Sequence, residues 1–425
     1  MKTIEQAPKK TTVFIGGQLI DCLNDESIPD AVVVVQNDTI TAVGKRGSIH
    51  IPDAADIFDI SGKTLLPGLI DAHVHVGNLD VALTQTMNLP PAVYVHRVTR
   101  NLEMDLQLGF TTLRDAGGLD WGFKEATHQG LIKGPQLYLS VSPMTPTGGH
   151  FDLRKRMQVA PVPRNSLGVF PEIRDGIDDV RAGAREVLRQ GADQIKVSAD
   201  GGVATSDQPG KWQYSVEEFK TIVNVAQSVD TYVMAHAYTT QSVMNCLEGG
   251  IKSIEHGNLM NFDCAQRMAE CGAYYVPTLS VFDILSNEGI SQLEPQYQDR
   301  CMMMRDASVT ALEYTMKAGV MIGSGSDSMG SFQALKGREL GLKAKVMGPM
   351  NAIKSATRVN AHIIGQNDRI GTIEPGKIAD LIIVDGDPLL DMSIFEDGLE
   401  SVRFVMKAGA ICKNNLICNE KRGDV

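Results

Sequence analysis

Eight short apolar runs, ending near Ile70, Arg114, Val141, Val197, Ala235, Glu255, Pro277 and Gly323, alternate with stretches of helical period such as 180–189, 216–228 and 302–317. Strand-like runs separated by helices in this way are the signature of βα units and a parallel sheet. Eight such units over roughly 280 residues match the usual size of a (β/α)8 TIM barrel. A doubly wound sheet is the competing α/β reading, but it normally places a glycine-rich phosphate turn after its first strand. Here that turn holds His73 and His75. The two ends of the chain have a different texture. Short β segments such as Thr12-Val13-Phe14-Ile15 and Ala31-Val32-Val33-Val34-Val35 precede the alternating part, and Ala379-Asp380-Leu381-Ile382-Ile383-Val384 and Val402-Arg403-Phe404-Val405-Met406 come after it. The expected architecture is a barrel over 67–350 and a small composite β-sandwich domain from 1–66 and 351–425. The longest irregular stretch, 143 to about 176, follows the third strand, and a loop of that length in a compact domain is usually functional.

Composition removes several function classes. The 425 residues are 43% hydrophobic and 21% charged, enough for a large buried core, and the net charge of −11 argues against a nucleic-acid partner. The seven cysteines, Cys22, Cys246, Cys264, Cys271, Cys301, Cys412 and Cys418, have no C-x-x-C spacing, so neither a disulfide framework nor a thiolate zinc site is signalled. Residues 1–10 lack the apolar core of a signal peptide, and no run approaches the ~20 apolar residues of a membrane span. A cytoplasmic protein without membrane association is expected.

The chemistry gathers at strand ends. In Leu69-Ile70-Asp71-Ala72-His73-Val74-His75 an apolar strand leads into two imidazoles spaced i, i+2, which puts both on one face of an extended segment, where they can close on one metal. Lys196, His236, His256 and Asp327 fall at or after the fourth, fifth, sixth and eighth runs. Barrel enzymes carry their chemistry at the C-terminal ends of their strands. Any one of these side chains could be a structural group hydrogen-bonded at a strand end. Lys196 is less easily explained so, because an ammonium inside Ala192-Asp193-Gln194-Ile195-Lys196-Val197 has a high desolvation cost that something must compensate.

Together with Ile195-Lys196, Ala235-His236, Ser253-Ile254-Glu255-His256-Gly257, Gly323-Ser324-Gly325-Ser326-Asp327-Ser328 and the tail Gly371-Thr372-Ile373-Glu374-Pro375-Gly376, the His73-Val74-His75 segment resembles the amidohydrolase superfamily over nearly the whole chain. The resemblance implies two divalent metal ions, usually zinc, held by His73, His75, Lys196, His236, His256 and Asp327. Lys196 would be carboxylated by CO2 and bridge the pair, which also resolves its charge. Two ions about 3.5–4 Å apart can hold one hydroxide between them and polarise a substrate carbonyl. Asp327 would then be the general acid/base. The ligand types suit zinc, manganese or cobalt alike. Deaminase members use a single metal and a Glu three residues after the fifth-strand His, whereas position 239 here is Thr239. The two-metal dipeptidases, which cleave Xaa-Pro or Xaa-Arg/Lys dipeptides and some N-acyl amino acids, are closer in their resemblance. By that likeness His150, in Thr145-Pro146-Thr147-Gly148-Gly149-His150, would hydrogen-bond the scissile carbonyl, and Tyr238 could donate its hydroxyl to the substrate α-carboxylate. The alternatives are a loop histidine bonded to backbone and a ring used for packing.

Specificity is less legible. A cationic C-terminal residue would want a carboxylate, and Asp152, Asp200 and Asp207 are the loop candidates. Proline would want apolar walls, for which Trp212, Tyr214, Val203, Met144 and Phe151 are available. Many family members carry a His where this chain has Gly337. His50, His96, His128 and His362 follow no strand-end pattern and are read as surface or structural. The expected function is binuclear zinc hydrolysis of dipeptides, foremost Xaa-Pro, by a small-molecule-binding homo-oligomer. Xaa-Arg/Lys dipeptides, N-acyl amino acids, and non-peptide amides or carbamates are the alternatives, and a metal-free scaffold would have been expected to lose ligands.

Overall fold

The computed structural model describes residues 10–81, 85–86, 88–158, 171–205 and 207–416. Cys418, the outer ends of the two terminal segments and the 159–170 part of the long segment after the third strand lie outside the described residues.

Five strands open the chain: β1 (Thr11–Leu19), β2 (Ile28–Gln36), β3 (Thr39–Lys45), β4 (Asp56–Asp59) and β5 (Lys63–Pro67). The valine run 32–35 favours extended backbone because its β-branched side chains restrict χ1 and pack well on a pleated surface. Asn37, with φ +57°, turns β2 back onto β3. Asparagine tolerates that left-handed conformation better than most residues.

Ten parallel strands come next. β6 (Leu69–Val74), β7 (Phe110–Asp115) and β8 (Gln136–Leu139) form one sheet. β9 (Met144–Thr145), β10 (Glu172–Ile173), β11 (Ile195–Ser198), β12 (Val233–Thr239), β13 (Ser253–Leu259), β14 (Tyr274–Val276) and β15 (Met321–Ile322) form a second, in the order β10-β9-β11-β12-β13-β14-β15. The third apolar run is broken between the two sheets. Val141, at φ +56°, and the nearby Pro143 interrupt it, so β8 stays with β7 while β9 pairs with β11. Backbone bonds cross both seams: Asp193 N–H donates to Leu139 O at 2.7 Å, and Ala72 N–H to Ser324 O at 2.9 Å. Helices separate most of these strands, among them Ile177–Arg189, Val216–Gln227 and Pro295–Ala318. Each covers an expected helical stretch: the first starts three residues earlier than expected, the second ends one residue sooner, and the third begins seven residues earlier, at Pro295. The Val216–Gln227 helix starts at a capping box in which Ser215 and Glu218 satisfy each other's backbone N–H groups. All residues of β6, β7 and β11 are buried, as parallel strands covered on both faces require.

The chain then returns to the first sheet through β16 (Leu381–Asp385), β17 (Val402–Lys407) and β18 (Ala410–Asn414). β16 pairs antiparallel with β5, and the sheet runs β18-β17-β16-β5-β1-β2-β3, with β4 against β1. Phe14, Phe58 and Phe404 meet on it at centroid distances of 5.3–5.6 Å. Gly409 in the β17–β18 turn has φ +74°, and a Cβ there would stand 1.8 Å from the Asn37 carbonyl oxygen, so no larger residue fits. No helix among the described residues is long and apolar enough to cross a membrane.

Candidate active site

The pleat of β6 and the turn after it point His73 and His75 the same way, with ring centroids 5.4 Å apart. Asp327 reaches them from beyond β15 with its backbone at φ +51°. Its Oδ1 lies 3.5 Å from the Nε2 atoms of both histidines, and the three ligand atoms fall within 4.8 Å of one another. The far nitrogens are anchored: His73 Nδ1 is 2.7 Å from Glu255 Oε2 and His75 Nδ1 is 2.7 Å from Gly117 O. Because a carboxylate and a carbonyl only accept, both rings carry their proton on Nδ1 and turn the Nε2 lone pair toward Asp327. Lys196, buried in β11, brings Nζ to 3.3 Å from His73 Nε2. His236 and His256 stand beside them, 4.7 Å apart between centroids, with His256 5.0 Å from His73. His256 Nδ1 is 2.7 Å from Thr278 Oγ1, and His236 Nε2 is turned toward Gly201 O at 3.3 Å.

Burial dominates the electrostatics. It pulls His75 down to about 3 and holds His73, His236 and His256 well below the usual imidazole value, with the Lys196 charge next in effect for His73, His75 and His256 and His150 next for His236. All four imidazoles are therefore neutral. Burial also lowers the Lys196 ammonium against the pull of Glu255 and Asp327, and raises the Asp327 carboxyl against Lys196. Neutral imidazoles, a carboxylate and a lysine on the way to losing its proton form a donor set that fits divalent metal ions.

His150 lies with its ring stacked on His236, centroids 4.2 Å apart and planes within 17°. Its Nδ1 is 3.3 Å from Thr205 Oγ1 and 3.6 Å from Asp207 Oδ2. It is the His150 backbone N–H that is anchored, to Gln213 Oε1 at 3.1 Å. A Cβ at Gly202 would stand 2.2 Å from the His150 ring, so the space for that ring depends on this glycine. Tyr238 packs its ring against His236 and His256, at 4.6 and 5.3 Å. These side chains line one cavity of about 270 Å³ that contains His75, Lys196, His236, His256, Asp327, His150 and Tyr238.

The amidohydrolase family model matches residues 64–412. The chain belongs to the amidohydrolase family. It is 30% identical to the ochratoxinase of Aspergillus niger over 95% of this chain and 87% of that protein. Among solved structures it resembles a prolidase complexed with N-methylphosphonate-L-proline (35% identity, TM-score 0.89, covering 95% of this chain and all of that one). It also resembles a Xaa-Pro dipeptidase with bound methionine (28% identity, TM-score 0.85, covering 95% and 99%).

In this amidohydrolase several expected specificity residues stand elsewhere. Val203 and Phe151 do line the cavity, but Met144 and Tyr214 are buried in the core between strands and helices, and Trp212 is 57% exposed. Much of the rest of the apolar wall comes from Val281, Phe282, Leu285 and Met329, with Val81, Leu153 and Ala204 beside them. Asp152 is occupied by Arg154 and the Gly148 N–H, and Asp200 is buried among Thr239, Ser242 and the Gly210 N–H. Only Asp207 of the three approaches the cavity, through His150. At Gly337 a Cβ would meet the Phe395 carbonyl at 1.8 Å, so this backbone admits no side chain there. His50, His96, His128 and His362 do not line the cavity.

Sequence reasoning gave no role to two buried groups behind the ligands. Arg114 grips Glu255 at 2.9 and 3.1 Å and donates from Nε to Ala72 O at 2.5 Å, tying β7 to β13 and β6. Asp71 accepts from His73 N–H, Ser326 N–H and Ser326 Oγ, at 3.2, 3.0 and 2.6 Å, and faces Lys336 at 3.5 Å. The signal for both was the one that exposed Lys196: a charged residue inside an apolar run.

Proposed function

We propose that this amidohydrolase is a metal-dependent dipeptidase that hydrolyses Xaa-Pro dipeptides with hydrophobic first residues. The observation that carries the reading is the convergence of His73 Nε2, His75 Nε2 and Asp327 Oδ1, with Lys196 Nζ adjacent, in a cavity that opposes these groups with an apolar stretch around Val203, Val281, Phe282 and Leu285. Two zinc ions would be held by His73, His75, His236, His256 and Asp327, with Lys196 carboxylated by CO2 between them. When bound, such ions supply an activated water and Lewis-acid polarisation of the carbonyl.

The protein's own groups do the rest. Asp327, raised by burial toward the range where it can both take and give a proton, receives one during attack and hands it to the departing nitrogen. His150 donates to the carbonyl oxygen as negative charge grows there, and its stacking on His236 limits where that donor can sit. Tyr238 donates to the α-carboxylate. Val203, Val281, Phe282 and Leu285 take the apolar parts of the substrate and exclude water. The two parallel sheets are read as one closed (β/α)8 barrel over 67–350, supported by the bonds across both seams. The sheet from 1–66 and 351–425 is read as a flanking β-sandwich domain, and the working form as a cytoplasmic homo-oligomer.

One specific observation favours a second reading. The apolar stretch of the cavity, Val203, Val281, Phe282 and Leu285, also suits N-acyl amino acids with bulky acyl groups. Xaa-Arg/Lys dipeptides are less well served, because Asp152 and Asp200 are already occupied. Hydrolysis of a library of dipeptides and N-acyl amino acids by zinc-loaded protein, read as free amino acid released, tests the proposal. Release of proline is expected. Release of Arg or Lys would shift specificity to Asp207, and no release from any member with two metals bound would point to a non-peptide amide or carbamate.

A further inference from the structure

Asp327 is delivered by a segment that has already left regular sheet. β15 ends at Ile322, and residues 323–326 cross to β6 before the carboxylate appears. Their path is held by a side chain from far along the chain. Asn360, fully buried, accepts from Ser324 N–H on Oδ1 at 2.9 Å and donates from Nδ2 to Ser324 O at 2.7 Å and Ile70 O at 2.6 Å. One carboxamide thus engages both backbone groups of Ser324 and joins them to β6, three residues before His73. The main chain continues the same register, with Ala72 N–H on Ser324 O and Asp327 N–H on His73 O.

Two local features serve this contact. Gly323 leaves room for it, since a Cβ there would lie 2.5 Å from Ile363 Cδ1 and 2.7 Å from Asn360 Oδ1. A five-residue π-helical turn, Ser355–Val359, immediately precedes Asn360. One residue added to a helical turn rotates the side chains beyond it by about 100°, and such insertions recur at functional sites.

We propose that Asn360 is a positioning residue for Asp327, its carboxamide setting the register that brings Asp327 Oδ1 within reach of both His73 and His75. The inference rests on the reading of Asp327 as a metal ligand and proton carrier. It acts through Asp327 and touches no substrate, so its loss lowers metal retention and kcat while leaving KM nearly unchanged.

The test compares wild type, Asn360→Ala and Gly323→Ala in zinc retention against a chelator, in kcat and KM on the best library substrate, and in crystal structures of the metal-free proteins. Asn360→Ala is expected to retain zinc about 10–100-fold less tightly and to lose kcat by about 10–100-fold, the usual scale for groups behind a ligand, with KM within about twofold. Gly323→Ala should move the same quantities in the same direction by less. A folded variant with wild-type zinc retention and kcat overturns the proposal. If Asn360→Ala does not fold, Gly323→Ala decides: an Asn360 amide displaced from Ser324 with Asp327 unmoved also overturns it. A wild type that binds no metal and cleaves nothing defeats the functional reading instead, and the crystallographic comparison of Asp327 then still decides the role of Asn360.

Discussion

A lysine sealed inside a strand has to lose its proton or be surrounded by anions. Lys196 has both options, because burial lowers its ammonium while Glu255 and Asp327 hold it up. The neutral amine is the form that reacts with CO2, so the same burial that makes this residue costly would favour the carboxylation proposed above. Lys196→Ala is predicted to lose bound metal and nearly all turnover, and normal metal content with a normal rate would contradict a bridging role. His150→Asn is predicted to keep its metal but lower kcat/KM by ~10²–10³, the scale of losing one donor to a developing oxyanion. An unchanged rate would make His150 structural. The candidate ligands were legible because each is a polar side chain at the end of an apolar run, where its cost calls for a partner. Glu255 and Arg114 obey the same rule, but nothing in the sequence says which buried charge meets which. The walls were legible only in part: Val203 and Phe151 line the cavity as expected, but Val281, Phe282 and Leu285 belong to a short, almost wholly buried helix after β14, whose cavity-facing side is set by packing and not by periodicity.

At the level of elements, apolar runs located the strands well and their interruptions poorly. Val141 looks like the end of an ordinary strand, yet its positive φ splits the third run between two sheets. Joints between elements carry their own electrostatics. Asp380, just before β16, accepts from Ala408 N–H at 2.7 Å, and burial raises its carboxyl to about 6. A folded-state value above the unfolded one means that the fold prefers the protonated acid. This contribution is therefore fully present below about pH 4 and is lost as pH rises through about 6. Asp380→Asn keeps an acceptor for Ala408 and cannot ionise. The melting temperature of this variant relative to wild type is predicted to rise between pH 4 and pH 7, and a pH-independent difference would remove the burial argument. The cap at Ser215 gives a smaller, pH-independent prediction. Ser215→Ala should lower stability by about 1 kcal/mol in chemical denaturation, since it leaves the Glu218 N–H without its partner, and no measurable loss would mean that water replaces the hydroxyl.

Across the whole molecule, the alternation of strands and helices conveyed the parallel layer and the flanking texture conveyed β structure at both ends, but pairing partners were a matter of three-dimensional proximity. β5 lies between β1 and β16, and Pro67 meets Leu381 across more than three hundred residues of intervening chain. A chain ending at residue 380 is predicted to accumulate in the insoluble fraction, because β5 would present an unpaired apolar edge. A soluble, monodisperse truncation would show that the pairing is dispensable. The same pairing has a consequence in time. At the usual ~5–20 residues per second of synthesis, the ribosome needs about 15–60 s after β5 emerges to supply β16. Throughout that interval the nascent chain carries an open strand edge that chaperones or the half-made sheet itself must shield.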